Sequence, residues 1–216
     1  MKKILICLST GLLLFCPVNT NATIVTLIDQ GDVWEYTVLP PELWGGGSAC
    51  WTCPGTWDSV GYDYVDWNNL NYTSVNAAFG NPYSLPYSTY WEADTDLALR
   101  KTLNIEGIIN GNLTLNVASD NGFIAFVNGQ QIAKEYAGGY TSYWEYSFSI
   151  DNSFFVQGIN AFEVLAADHG GATFFDMQLT ADIESAPIPE PSTFILLGTC
   201  LIGLVGLRKK IKSNFI

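Results

Sequence analysis

The chain has 216 residues, of which 21 are acidic and 9 are basic, and its formal net charge at neutral pH is −12. All 21 carboxylates lie between Asp29 and Glu190, where only Arg100, Lys101 and Lys134 are basic, so this stretch carries a net charge of about −18. Such a field repels phosphate groups, which argues against nucleic-acid binding, and the length between the two ends suits one domain.

The first 22 residues have the composition of a signal peptide. A basic start is followed by an apolar run from Ile4 to Phe15 and by a polar stretch that ends at Ala22. Signal peptidase accepts small side chains before the bond that it cuts. We therefore predict a signal peptide over residues 1–22 and a mature chain that begins at Thr23.

A stretch rich in glycine and tryptophan, residues 40–56, contains the cysteine pair Cys50 and Cys53. In an oxidising exported compartment, the expected product is a local disulfide between them. A redox-active pair would need a helix N-terminus, and Pro54 with the flanking glycines gives no evident helix. A zinc site would need two further ligands, and His169 is the one candidate for them in the sequence. The redox and zinc alternatives stay open.

Short runs of alternating polarity from Asp94 onward predict an all-β domain. In Phe174–Ile183, apolar side chains occupy one face and polar side chains the other, the pattern of a strand with one wet side. The runs Leu97–Ile105 and Leu113–Val117 repeat this pattern. We expect each of the three to pack its apolar face into one core.

Turn signals separate the predicted strands. Between Ile124 and Ile132, a β-run is interrupted by Asn128 and Gly129, which favour a two-residue type I′ hairpin because both tolerate positive φ. The spacing of strands and turns is typical of a β-sandwich. Further turn signals occur at Asn110-Gly111, Asp120-Asn121-Gly122, Gly138-Gly139 and Gly170-Gly171.

Seven short segments, taken in order, resemble the galactose-binding-like jelly roll, a sugar-binding module found beside many glycoside hydrolases. The segments are Gly31–Tyr36, Val65–Trp67, Ala77–Gly80, Leu99–Leu103, Ala118–Gly122, Val127–Gly129 and Gly158–Asn160. The resemblance implies a single jelly-roll β-sandwich, which we place at residues 23–184. It also implies that Trp34 and Trp67 belong to the core and that the module carries no catalytic residues.

Tryptophans beside the cysteine pair are the candidate carbohydrate-binding residues. Flat aromatic rings next to Asn and Asp suit the apolar face and the hydroxyl groups of a sugar. Trp44, Trp51 and Trp57 flank the pair with glycines on both sides. We predict that these three side chains contact carbohydrate, with packing inside the loop as the alternative.

Carboxylates raise the questions of metal binding and catalysis. We predict no cofactor apart from a possible structural calcium ion, for which hard oxygen ligands are available at Asp63, Asp66, Asp94 and Asp96. A Ser-His-Asp triad would rest on the single histidine, and no G-x-S-x-G motif accompanies it. A glycosidase needs only two carboxylates, but in so acidic a chain their proximity is expected by chance. We expect no enzymatic activity, with a small secreted polysaccharide hydrolase or an adhesin subunit as the alternative.

Residues 185–216 combine a proline-rich strip, an uncharged apolar run from Ser192 to Leu207 and a basic end. The strip favours an extended, exposed backbone because proline lacks an N–H donor. As a helix, the apolar run spans roughly 24 Å, short of a hydrocarbon core of about 30 Å, so we predict a temporary transmembrane anchor with a cytoplasmic tail. The motif residues are Pro189, Glu190, Pro191 and Ser192, followed after the helix by Arg208, Lys209 and Lys210.

This ordered series resembles the PEP-CTERM sorting signal of Gram-negative bacteria that secrete exopolysaccharide. The resemblance covers Ile188 to Lys210, and an ordinary tail anchor is the alternative. It implies recognition by an exosortase-type membrane transpeptidase, a transient stay in the inner membrane, removal of the helix, and delivery to the cell surface or extracellular matrix. We therefore expect an exported, non-enzymatic protein that associates with exopolysaccharide, as in a biofilm.

Overall fold

The computed structural model describes residues 22–40, 60–136, 141–168, 170–184 and 196–201. Several predicted features lie outside these ranges. They are the signal peptide up to residue 21, Cys50 and Cys53, Trp44, Trp51 and Trp57, His169, the motif Pro189 to Ser192, and Arg208, Lys209 and Lys210. The possible calcium ligands lie inside them.

The chain divides into two compact units. One unit is Asn21–Ala186, and the other combines Met1–Thr20 with Pro187–Ile216. In the second unit, the described residues 196–201 are helical. Across the described part of the chain, no helix is long and apolar enough to cross a membrane.

The larger unit is built of short and medium strands joined by turns and two 3-10 helices, Tyr62–Tyr64 and Asn152–Phe154. In chain order, the strands of the described ranges are β1 (Ala22–Ile28), β2 (Val33–Leu39), β3 (Thr73–Asn76), β4 (Phe79–Gly80), β5 (Thr89–Tyr90), β6 (Asp96–Ile105), β7 (Ile108–Ile109), β8 (Leu113–Asp120), β9 (Gly122–Val127), β10 (Gln130–Tyr136), β11 (Tyr146–Ile150), β12 (Gly158–Ala167) and β13 (Phe174–Glu184).

These strands form two sheets. The first sheet has the order β11-β8-β13-β4-β5, with β1 and β7 also paired to β13. The second sheet has the order β10-β9-β12-β6-β2-β3. Pairing is antiparallel except between β4 and β5. Side chains from both sheets fill one hydrophobic core between them, so the predicted all-β sandwich is confirmed.

Strand β13 shows the predicted alternation. Phe175, Met177 and Leu179 lie in the core between the sheets. The expectation of one wet side is only partly correct, because Asp176 on the opposite face is just 1% exposed. Loops cover that end of the outer face, where Phe174 packs in a separate small cluster.

The β9–β10 hairpin is also as predicted. Its two connecting residues have positive φ, 51° at Asn128 and 78° at Gly129, as a type I′ turn requires. The same hairpin end is fixed by the side chain of Asn128, whose Nδ2 donates to Oδ1 of Asn160 at 2.9 Å.

Both tryptophans assigned to the core are buried, but in different places. Trp34 lies between the sheets, where its ring meets that of Phe162 edge-on. Trp67 lies in a second cluster. There it stacks on Tyr62 with ring centroids 5.6 Å apart and contacts Phe126 edge-on. Since Phe126 alternates with the core residues of β9, this cluster covers the outer face of the second sheet.

The buried side chain of Asn160 forms several hydrogen bonds near the start of β12. Its Nδ2 donates to the carbonyls of Val156 and Gly158, at 2.7 and 3.0 Å. Its Oδ1 accepts from the N–H of Val156 at 2.8 Å, in addition to the bond from Asn128. All these groups would lose their partner together if the side chain were removed.

We predict that Asn160→Ala lowers the free energy of unfolding by about 3 kcal/mol, because buried donors and acceptors are left unpaired. Urea denaturation measures the change. Asn104→Ala is the matched control, since the side chain of Asn104 is exposed and donates to Oε1 of the nearby Glu106, and it should change stability by less than about 0.5 kcal/mol. Equal losses in the two variants would contradict the assignment.

Candidate functional site

A cavity of about 570 Å³ opens on the outer face of the first sheet. Its base is Asp176 of β13, and its walls come from three places in the chain. They are the β1–β2 turn with Asp29, the residues on either side of β4 (Ala77 and Ala78 before it, 86–88 after it), and Tyr143 before β11. Because the strand supplies the base and loops supply the walls, residues distant in sequence meet at one site.

The first wall is the tight turn between β1 and β2. Backbone N–H of Asp32 donates to the carbonyl of Asp29 at 3.2 Å, and N–H of Asp29 donates to Oδ2 of Asp32 at 3.1 Å. Gly31 in this turn has a φ of 74°, a conformation that favours glycine. The turn is tied to the second wall, because N–H of Ala77 donates to the carbonyl of Asp32 at 2.8 Å.

The second wall is held by hydrogen bonds between two backbone segments. The carbonyl of Ala78 accepts from N–H of Ser88 at 2.9 Å and from N–H of Thr89 at 3.0 Å. These bonds fix the chain before β5 alongside the chain before β4. Tyr87 stands at this wall with 38% of its surface exposed, so its ring is available to a ligand.

The third wall is Tyr143. Its ring packs edge-on against Phe174 and Trp144, with centroid distances of 5.5 and 5.3 Å. Burial raises the pKa of the Tyr143 hydroxyl, and a side-chain hydrogen bond with Gln30 opposes that shift. The hydroxyl therefore stays protonated at neutral pH, and the bond links this wall to the β1–β2 turn.

The base of the cavity is an almost fully buried carboxylate. Oδ1 of Asp176 accepts from N–H of Met177 at 2.9 Å, whereas Oδ2 has no hydrogen-bond partner among the described residues. Burial raises the pKa of Asp176 to about 7. The backbone N–H groups of Met177 and Gly31 oppose the shift, and the carboxylates of Asp29 and Asp32 add to it. The N–H of Gly31 thus lies close enough to Asp176 to lower its pKa, but it makes no hydrogen bond of standard geometry to Oδ2, and this oxygen keeps acceptor capacity.

The cavity is acidic. Asp29 and Asp176 line the cavity, and none of the other described residues that line it is Lys or Arg. The β1–β2 turn has a basic neighbour in Lys101, whose Nζ lies 3.1 Å from Oδ2 of Asp32 and donates to the carbonyl of Val33. A ligand here would therefore meet hydrogen-bond acceptors and tyrosine rings.

No pattern in the sequence predicted this site. Asp176 had been expected on a wet strand face, and Tyr87 was one of many tyrosines in the N-terminal half. A signal was present in retrospect: Asp176 directly follows two phenylalanines that the fold buries on opposite faces of β13. Covering Phe174 on the outer face necessarily covers its neighbour on that face.

The four possible calcium ligands are placed as two separate pairs in the chain. Asp63 and Asp66 are exposed in the segment before β3, and Oδ1 of Asp66 accepts from the N–H of a neighbouring residue. Asp94 is exposed and Asp96 is buried at the start of β6. Within the described ranges, no three His, Cys, Asp or Glu side chains form a group that could hold a metal ion. Calcium binding stays a prediction.

A second buried carboxylate lies at the end of β8. Burial, together with the charges of Asp168 and Glu145, raises the pKa of Asp120 to about 7. Asp168 accepts at its Oδ2 from the N–H groups of Asp94 and Gly170, both at 2.7 Å. This group fixes the loop after β12, and it lies outside the residues that line the cavity.

The sorting signal predicted at the C-terminus is confirmed by comparison with known families. Residues 187–210 match the model described as the PEP-CTERM protein-sorting motif. The motif implies export, a membrane-associated sorting step at the C-terminus and processing by an exosortase.

Comparison with solved structures finds similarity at low sequence identity. The PA14 domain of the MpAFP antifreeze protein is 16% identical, with a TM-score of 0.38, covering 72% of this chain and 87% of that one. A β-glucuronidase of an uncultured Clostridium species is 9% identical, with a TM-score of 0.41 and coverage of 76% and 30%. The Ruminococcus gnavus β-glucuronidase in complex with D-glucuronic acid is 13% identical, with a TM-score of 0.44 and coverage of 74% and 29%.

This chain therefore spans about 30% of the length of the two β-glucuronidases. No curated protein matches the sequence.

The two buried carboxyls predict an unusual pH dependence of stability. Their folded-state pKa of about 7 lies above the ordinary value of 3.8. Between these values the folded protein holds protons that the unfolded chain releases, so the free energy of unfolding falls as pH rises from about 4 to about 7. Asp176→Asn and Asp120→Asn should each reduce this fall, as measured by thermal melts across the range. Exposed Glu106→Gln is the control, and a slope left unchanged in both buried variants would refute the prediction.

Proposed function

We propose that the protein is an exported, non-enzymatic surface or matrix protein that binds exopolysaccharide through the cavity above Asp176. The observation that carries the proposal is the unpaired Oδ2 of this buried carboxylate at the base of a cavity walled by Tyr87 and Tyr143. The sorting motif supports delivery of the body, after a transient stay in the inner membrane, to the surface or matrix of a Gram-negative bacterium.

The chemistry of the cavity suits a sugar. Sugar hydroxyls donate hydrogen bonds, and carboxylate oxygens of Asp29 and Asp176 accept them. Tyrosine rings contact the apolar C–H faces of a pyranose and lose little conformational entropy in doing so. The cavity volume of about 570 Å³ lies within the range of small-molecule sites.

The burial of Asp176 favours binding over hydrolysis. Glycosidases use two carboxyl groups, one of which must reach the glycosidic oxygen and the other a water molecule or the anomeric carbon. Asp176 is 1% exposed, and its Oδ2 is closed to solvent. Of the two carboxyl groups that line the cavity, only Asp29 is exposed, so the lining does not supply the two accessible carboxyl groups that a glycosidase needs. A small polysaccharide hydrolase is the alternative that a turnover assay tests.

The tryptophans within and directly after the glycine-rich stretch of residues 40–56, called the insert from here on, are a second proposed contact. Trp44, Trp51 and Trp57 lie outside the described residues, and their proposed role rests on ring chemistry alone. Mutation can distinguish the two proposed contacts, because the residues that line the cavity and the three tryptophans can be replaced separately.

We predict that Tyr87→Ala weakens binding of oligosaccharides from the native exopolysaccharide roughly three- to tenfold, the worth of one aromatic contact. Isothermal titration calorimetry on the processed protein measures it, together with a reducing-sugar assay for turnover. The matched control is Tyr83→Ala, since Tyr83 is 77% exposed and is not among the residues that line the cavity.

Three outcomes would count against this assignment. Absence of any binding by the unaltered protein overturns the proposed function. Loss of binding in the triple variant Trp44→Ala, Trp51→Ala, Trp57→Ala, with Tyr87→Ala unchanged, moves the site to the insert. Release of reducing ends from the polysaccharide overturns the non-enzymatic role.

Processing at the sorting motif predicts a shortened surface protein. Intact-protein mass spectrometry of the surface fraction should show a chain that ends near Pro191 and lacks the apolar run. Replacing Pro189 and Glu190 with alanine should leave the full C-terminus in place, because the recognition motif is gone. A surface protein that extends through Ile216 in the unaltered strain would contradict exosortase processing.

A further inference from the structure

We infer that the cavity selects amino sugars with a free, positively charged amino group and rejects uronic acids. The inference rests on the proposed function and names the class of polysaccharide: one that contains de-N-acetylated hexosamine units. Three observations carry it, namely the charge of the lining, the unused acceptor at the base and the engagement of the nearest lysine.

The charge of the lining disfavours an anionic sugar. Asp29 and Asp176 face the cavity, and Asp32 lies close enough to affect the titration of Asp176. Among the described residues no basic side chain lines the cavity to offset them. A uronate carboxylate placed there would meet like charges without a cationic partner, whereas an ammonium group would meet opposite charges.

The base of the cavity contains an acceptor oxygen that lacks a hydrogen-bond donor. Oδ2 of Asp176 is buried and lacks a hydrogen-bond partner among the described residues. An ammonium group has three donors and no acceptor, so it can supply this oxygen and also reach toward Asp29. A uronate carboxylate offers only acceptors, so it can pair with Asp176 only while that carboxyl is protonated, and it would still meet the negative charge of Asp29. A neutral hydroxyl group can donate one bond but brings no charge, so neutral sugars should bind more weakly than amino sugars.

Lys101 does not substitute for the ligand. Its Nζ lies 3.1 Å from Asp32 and 2.9 Å from the carbonyl of Val33, which places the ammonium group on the β2 side of the turn. It thus compensates the charge of Asp32. Oδ1 of Asp29 accepts from the N–H of Gln30 at 2.9 Å and from Nε2 of Gln178 at 3.3 Å, but neither Asp29 nor Asp176 has a cationic partner among the described residues. A bare metal ion is a poorer fit, because within the described residues no group of three metal-ligating side chains is present.

The general acidity of the body must be separated from the cavity. With a net charge near −18 between Asp29 and Glu190, the protein attracts any polycation weakly. Selection by the cavity instead requires an effect of particular carboxylates. Glu106 is an exposed carboxylate outside the lining, so Glu106→Gln removes the same charge without touching the site.

The experiment measures binding of four ligands to the processed protein by calorimetry. The ligands are a glucosamine tetramer, the N-acetylglucosamine tetramer, a galacturonate tetramer and spermine. We expect the glucosamine tetramer to bind at least tenfold more tightly than its N-acetylated form, and the galacturonate tetramer not to bind. Asp176→Asn and Asp29→Asn should each weaken glucosamine binding tenfold or more, whereas Glu106→Gln should change it less than twofold.

Several results would overturn the inference. One is a preference for the galacturonate or the N-acetylated tetramer, and another is an equal loss of glucosamine binding in Glu106→Gln and Asp29→Asn. Spermine binding as tight as that of the tetramer would mean that charge alone is recognised. Since Asp29 is exposed, its variant tests the claim even where Asp176→Asn fails to fold. If no oligosaccharide binds, the proposed function itself fails, whereas binding without preference overturns only the ligand class.

Discussion

The structure depends on one constraint: strand β13 is covered on both faces at its N-terminal end. Phe175 and Met177 pack into the core between the sheets, while Phe174 and Asp176 lie beneath loops on the outer face. Burying Phe174 is favourable, but its strand neighbour on that face is a carboxylate whose charge is costly to desolvate. The loops close over the phenylalanine and leave a cavity beside the carboxylate, and the candidate site is the result.

The strands themselves could be predicted because their signals are local. Alternating polarity identifies β13, and two residues that tolerate positive φ identify the β9–β10 hairpin. The cover of β13 could not be predicted in this way. It depends on hydrogen bonds between distant segments, such as Ala77 to Asp32 and Ser88 to Ala78, which leave no periodic trace in the sequence. Asp176 therefore resembled an ordinary solvent-facing residue of an amphipathic strand.

The sorting motif and the β-sandwich body, residues 23–184, contribute different parts of the function. The motif at residues 187–210 is a linear signal, readable without any fold, and it gives the route of the protein. What the body does depends on tertiary structure, since the cavity draws on β13 and on three loops. The aromatic residues most conspicuous in the sequence lie in the insert. The side chains that the fold brings together, Asp29, Tyr87, Tyr143 and Asp176, come from elsewhere.

The central claim is that a ligand occupies the cavity above Asp176. A crystal structure of the processed protein with a glucosamine tetramer tests it most directly. The account predicts a sugar ring between Tyr87 and Tyr143, with its amino nitrogen within hydrogen-bonding distance of a carboxylate oxygen of Asp29 or Asp176. A tetramer bound at the tryptophan insert or on the outer face of the second sheet, with the cavity holding only solvent, would contradict it.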